Sequence, residues 1–152
     1  MFQNEEKNNI CWIMGRLTYE REFVRPEGIF RKESNGKSII KIIMTNRTDV
    51  KDDPEDQAYY VQDWNQAKDL VEKFKDKISE AWNVGGPSVY KAQLDDKIDP
   101  SEGKLILTTL QKAFDCDVFY PKEYIKDMKL VESSEVHEEN GVKLQFHTYN
   151  LF

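Results

Sequence analysis

The apolar positions of this chain fall into short blocks of differing period. Between residues 9 and 19 both sides of an extended chain are apolar, with Ile10, Trp12 and Met14 on one side and Cys11 and Ile13 on the other. Such a strand suits the centre of a sheet or a closed barrel. Turn signals at Arg25-Pro26-Glu27-Gly28 and Asn35-Gly36 flank residues 29–33. Residues 38–45 then read as a strand whose even face, Ile40, Ile42 and Met44, is apolar, while its odd face mixes Lys41 and Thr45 with Ile39 and Ile43. The expectation for residues 9–46 is a basic, aromatic β-hairpin.

Downstream, residues 59–64 form a short aromatic segment. From Asn65, read as an N-cap, Ala67, Leu70, Val71, Phe74, Ile78, Ala81 and Trp82 recur at three- and four-residue spacing and predict a helix through Trp82. Val84-Gly85-Gly86-Pro87 reads as its stop. Residues 88–94 and 104–110 are predicted strands around an acidic turn at 95–103, followed by a short helix at 121–130 and a last strand at 142–151. Five strands with a helix between the third and fourth is the order of the oligonucleotide-binding (OB) fold, a mainly β, five-stranded Greek-key barrel. Periodicity alone also permits other small α+β folds. The expected organisation is one domain over 1–152, with a polar N-terminal arm at 1–8, the barrel at 9–110 and a C-terminal extension at 111–152.

Composition narrows the class. No apolar run approaches the ~20 residues of a bilayer span, the first nine residues are polar, and a soluble, cytoplasmic protein is expected. The net charge is −6, yet between Lys7 and Arg47 nine bases face four acids. A local patch is what meets phosphate, so an acidic total is compatible with a nucleic-acid partner. Cys11 and Cys116 are too far apart in sequence for a metal knuckle and read as two buried thiols.

Nothing in the sequence assembles a catalytic constellation. The acids of residues 49–57 lack the glycine and distal Glu of a calcium loop, adjacent Asp95 and Asp96 point apart in an extended turn, and His137 and His147 have no nucleophile beside them. Gly85-Gly86 lacks the Gly-Lys-Ser/Thr of a P-loop. The reading is therefore of a non-enzyme with no cofactor and no metal.

Flat rings among cations suit single-stranded nucleic acid, because bases stack on the rings while the cations follow the phosphates. The candidate DNA-binding residues are Arg16, Tyr19, Arg21, Phe23, Arg25, Phe30, Arg31, Lys37, Lys41, Arg47, Tyr59 and Trp64, with Lys32 as a further phosphate contact. Trp12 and Trp82 are assigned to the core.

Asn9-Ile10 through Met14-Gly15-Arg16-Leu17-Thr18, Glu22-Phe23-Val24-Arg25, the segment from Tyr60 to Ala67 and the segment from Gly86 to Leu94 together resemble the bacterial, phage and conjugative-plasmid single-stranded DNA-binding (SSB-like) family. The resemblance covers roughly residues 9–110, with Asn65 and Ala92 where that family has glycines, and without its acidic tail tip. It implies sequence-tolerant coating of single strands during replication or plasmid transfer, with Trp64 as a stacking ring; self-association along DNA is expected, with the arm at 1–8, too polar for the core and ahead of the first strand, as its docking segment. The alternative is an OB-like protein-interaction module, such as a phage inhibitor, without DNA binding.

Overall fold

Strands from residues 9–15 and 38–44 run parallel, which excludes a hairpin, because parallel neighbours need a long crossover between them. A computed structural model describes residues 9–28, 38–96 and 103–151. The chain divides into two compact units, Met1–Gln93 and Leu94–Phe152.

In the first unit β1 (Asn9–Gly15), β2 (Ser38–Met44), β3 (Ala58–Val61) and β4 (Ile78–Asn83) form a sheet of order β3-β2-β1-β4, parallel throughout. Three helices accompany it: α1 (Arg16–Tyr19), continued by a π-helical turn at Glu20–Val24, α2 (Trp64–Lys73) and α3 (Pro87–Asp95). One face of the sheet, Cys11, Ile13, Ile40, Ile42 and Val61, is packed by Ala67 and Phe74 and by Val89 of α3. The other face, Met14, Ile43 and Ala58, is covered by Tyr19 and Phe23. Strands apolar on both sides are what a parallel sheet between helices requires. The OB barrel is therefore replaced by a layered α/β unit around a central parallel sheet.

Several elements differ from the sequence reading, among them the strand expected over residues 9–19, which ends at Gly15 and continues as helix α1. The predicted helix through Trp82 stops at Lys73, and after a turn the chain enters β4, where Glu80, Ala81 and Trp82 pair with Ile10, Cys11 and Trp12. Trp82, assigned to the core, is 40% exposed and donates its indole N–H to Glu80 Oε2 at 2.8 Å. The predicted strand at 88–94 is helix α3, opened by Pro87, whose fixed φ and missing N–H suit a first helical position.

The second unit is antiparallel, with β5 (Lys104–Leu110), β6 (Lys129–Ser133), β7 (His137–Glu139) and β8 (Val142–Asn150). Its order is β5-β8-β6, with β7 also paired to β8. Leu94, Met128 and Leu151 are its buried centre. His147 lies between Thr109 Oγ1 and Ser133 Oγ, at 3.0 and 2.9 Å. Cys11 is buried as expected, whereas Cys116 is exposed. Among the described residues no helix is long and apolar enough to cross a membrane, and no three potential ligands cluster to hold a metal.

Candidate functional site

The strand order of the first unit fixes where a ligand can bind. From β1 the chain moves outward to β2 and β3 on one side, and only later places β4 on the other, so the carboxyl ends of β1 and β4 flank the point where the order reverses. In open parallel sheets that crevice is the ligand site, because the loops leaving the two strands diverge to opposite faces.

Each strand delivers a distinct set of groups there. β1 ends at Gly15 and passes directly into α1, and β4 ends at Asn83, followed by Val84-Gly85-Gly86 and the N-terminus of α3. The two ends are tied: Val84 N–H donates to Ile13 O at 3.0 Å and Gly15 N–H to Gly85 O at 2.8 Å. Asn83 clamps the turn, its Oδ1 accepting from Gly85 N–H at 3.0 Å and its Nδ2 donating to Val89 O and Gln93 Oε1 at 3.1 and 2.9 Å. Val89 and Tyr90 N–H both donate to Gly86 O, closing the first turn of α3.

The two glycines after β4 serve different needs. Gly85 has φ +87°, and a Cβ there would lie 2.6 Å from the Tyr90 ring, so the residue is required by the fold. At Gly86 a Cβ would meet nothing within 4 Å, so the chain presents bare backbone to open space. The peptide bond between them is cis.

Three cations of the first unit each face a carboxylate. Arg16, at the start of α1, pairs with Glu20 at 2.6 Å. Arg47, beyond the end of β2, holds Asp49 through both Nε and Nη2, the first at 2.8 Å to Oδ1. That guanidinium holds the Asp49 carboxyl below its ordinary range. Lys41 is buried under the Phe23 ring, 3.7 Å from Asp56 Oδ1, with desolvation lowering its pKa. Tyr19 O–H donates to the same Asp56 at 3.3 Å.

The sequence-predicted stacking rings are not brought together. Tyr59 packs on Phe74, centroids 5.0 Å apart, and with Trp64 belongs to the α2 side of the sheet. Tyr19, Phe23 and Lys41 belong to the opposite face, where Tyr19 and Phe23 stack at 5.9 Å. Arg21 and Arg25 are exposed on the π-helical turn and just after it. Phe30, Arg31, Lys32, Lys37 and the proposed arm at 1–8 lie outside the described residues.

The groups that build the edge, Gly15, Asn83, Gly85 and Gly86, were absent from the sequence-derived site. Their signal was an apolar strand followed by Gly-Gly and a proline at a helix start, here read as a helix stop.

Comparison with known proteins agrees with this architecture. The family model described as dihydrofolate reductase matches residues 1–151. The chain is 32% identical to the dihydrofolate reductase of Sus scrofa over 152 residues, covering 95% of this chain and 75% of the relative. The Rattus norvegicus enzyme is 30% identical, with 95% and 74% covered. Among solved structures, Schistosoma mansoni dihydrofolate reductase superimposes with a TM-score of 0.67 at 25% identity, over 93% of this chain and 74% of that one.

These matches overturn the resemblance to single-stranded DNA-binding proteins, the non-enzyme reading, its OB-like interaction alternative and the single-stranded DNA partner. Gly15-Arg16-Leu17-Thr18 marks a strand running into a helix, and the Gly86–Leu94 segment is helical, so the likeness joined pieces of different structure. By its sequence over nearly the whole length and by its fold, the chain belongs to the dihydrofolate reductase family.

Proposed function

We propose that this chain binds a reduced nicotinamide dinucleotide across the carboxyl ends of β1 and β4 and serves the reduction of dihydrofolate, the activity for which its relatives are named. The observation that carries the reading is the bare backbone at Gly86, held beside Gly15 where the strand order reverses. Glycine at such a turn lets a diphosphate approach the main chain, and a helix N-terminus favours its charge. The residues present fit the group: Gly86 leaves room, α3 begins there, and Arg16 supplies a cation at the same end of the sheet.

When bound, the reduced nicotinamide supplies the hydride. The protein's own residues hold and orient: Asn83 fixes the turn through three hydrogen bonds, Tyr90 fills the space under Gly85, and Gly15 locks β1 to it. The sequence reading that called for no cofactor gives way to this one.

The test is direct. The purified full chain is mixed with NADPH and dihydrofolate, and loss of the reduced-nicotinamide absorbance is followed, with NADPH binding measured separately by quenching of tryptophan fluorescence. Saturable quenching with dihydrofolate-dependent oxidation supports the reading. Absence of both rejects it.

A further inference from the structure

In the second unit His147 stands on the middle strand of the sheet, with a hydroxyl on each side. Ser133 of β6 lies directly opposite it, and Thr109 of β5 lies diagonally, paired with Gln145. A bulge in β6 decides which side chain meets the ring: the register slips between Leu130 and Glu132, so Ser133 instead of Glu132 faces His147. Ser133 and Thr109 are both exposed. They are 14 and 38 residues from His147 along the chain, which hides the cluster from a reading of the sequence.

The hydrogen bonds fix where the ring carries its proton. The Thr109 hydroxyl has one proton and gives it to Gln145 O at 3.4 Å, so toward His147 Nε2, 3.0 Å away, it accepts. Nε2 of the neutral ring is therefore the protonated nitrogen, and Ser133 O–H donates to the bare Nδ1 at 2.9 Å. A serine whose proton points at an unprotonated imidazole nitrogen, with the opposite N–H held by a third group, has the order of an activated nucleophile.

We propose that Ser133 accepts an acyl group from an activated ester, with His147 as its general base and Thr109 as the residue that positions the ring. Ser133 Oγ forms a bond to the carbonyl carbon while its proton passes to His147 Nδ1. The bond from that carbon to the leaving oxygen then breaks, the oxygen departs with the electron pair and takes the proton from Nδ1, and an acyl ester remains on Ser133. While the ring is cationic, its Nε2–H bond to Thr109 is charge-assisted and stronger. Leu107, opposite His147 on β5, gives the acyl chain an apolar neighbour. Loss of one oxyanion donor costs an enzyme about 10²–10³ in rate, and an open sheet face offers few such donors, so the ester must carry a good leaving group.

Incubation of the full chain with p-nitrophenyl acetate tests it, with release of p-nitrophenolate followed by absorbance and the acetylated peptides mapped by mass spectrometry. An acetyl group on Ser133 is expected, and none at that position in Ser133→Ala. His147→Gln should slow acetylation of Ser133 by about a hundredfold. Thr109→Val should slow it by about tenfold, with Thr109→Ser restoring the rate. Labelling confined to lysines or the exposed Cys116, or acetylation of Ser133 at an unchanged rate in His147→Gln, overturns the inference. Where circular dichroism shows His147→Gln to be unfolded, the Thr109 pair decides, and equal rates in Thr109→Val and Thr109→Ser overturn it.

Discussion

Gly85 and Gly86 are neighbours with opposite liabilities. At Gly85, φ of +87° and a Cβ 2.6 Å from Tyr90 make alanine costly, and Gly85→Ala should lose about 2 kcal/mol or more in urea unfolding. Gly86→Ala adds a methyl into empty space, so stability should stay within about 0.5 kcal/mol while NADPH affinity falls severalfold in the fluorescence titration. Wild-type affinity in that variant would move the site elsewhere. The pair was visible in the sequence, but glycines stop helices and line ligand edges alike, and only the strand before and the helix after decide between them. Cys11 was legible as a core thiol, and its burial has a pH consequence. Burial pushes that thiol from 9.0 up to about 12. The unfolded thiol ionises first, so the stability tied to the neutral form is complete below 9.0 and is lost as the pH rises through about 12. Tyr19, Tyr60 and Tyr90, raised chiefly by burial, act with the same sign, and Lys41, lowered by burial, with the opposite one. Between about pH 8 and about pH 10 wild type should therefore lose roughly 1 kcal/mol more than Cys11→Ala. Urea midpoints at the two values measure it.

Among the elements, α2 shows how a boundary is set. Asp63 accepts Gln66 N–H at 2.9 Å and caps the helix two residues before the expected Asn65. Asp63→Ala should cost about 1 kcal/mol, with Asp63→Asn retaining most of it, since asparagine caps nearly as well. Equal losses in the two variants would show that the charge, not the cap, matters. The far end of that segment was misread for a physical reason: Ile78, Ala81 and Trp82 continue a helical spacing, yet the backbone they occupy is a strand beside β1. Short apolar runs fit either period. For residues 88–94 the pattern was equally silent, and Pro87 was the local sign of a helix. The strands at 9–15, 38–44, 104–110 and 142–150 were legible, because each alternates or is apolar throughout. Their direction was not: two-sided apolarity says that a strand is covered on both faces, which a barrel centre and a parallel sheet under helices satisfy equally.

For the molecule as a whole, the basic first third proved a poor guide to partners. Arg16, Lys41 and Arg47 face Glu20, Asp56 and Asp49, so three of the cations counted as a patch are each paired where they stand, two of them with acids from beyond the basic stretch. A count along sequence cannot register pairing that the fold creates. What the whole molecule does offer is a contrast between its two units, and that contrast makes the site reading testable without turnover. A ligand bound only to the folded first unit stabilises it by about 2.7 kcal/mol at a hundred times its dissociation constant. Amides that exchange through opening of that unit should then slow by about a hundredfold, above all at Gly15, Gly85 and the ends of β1 and β4. Those of β5 and β8, such as Thr108 and Phe146, should keep their rates, because none of the proposed cofactor contacts lies in the antiparallel unit. Hydrogen exchange with and without saturating NADPH reads both sets in one experiment. Protection confined to the second unit would remove the parallel-sheet edge as the binding site, and equal protection everywhere would mean that the two units open as one.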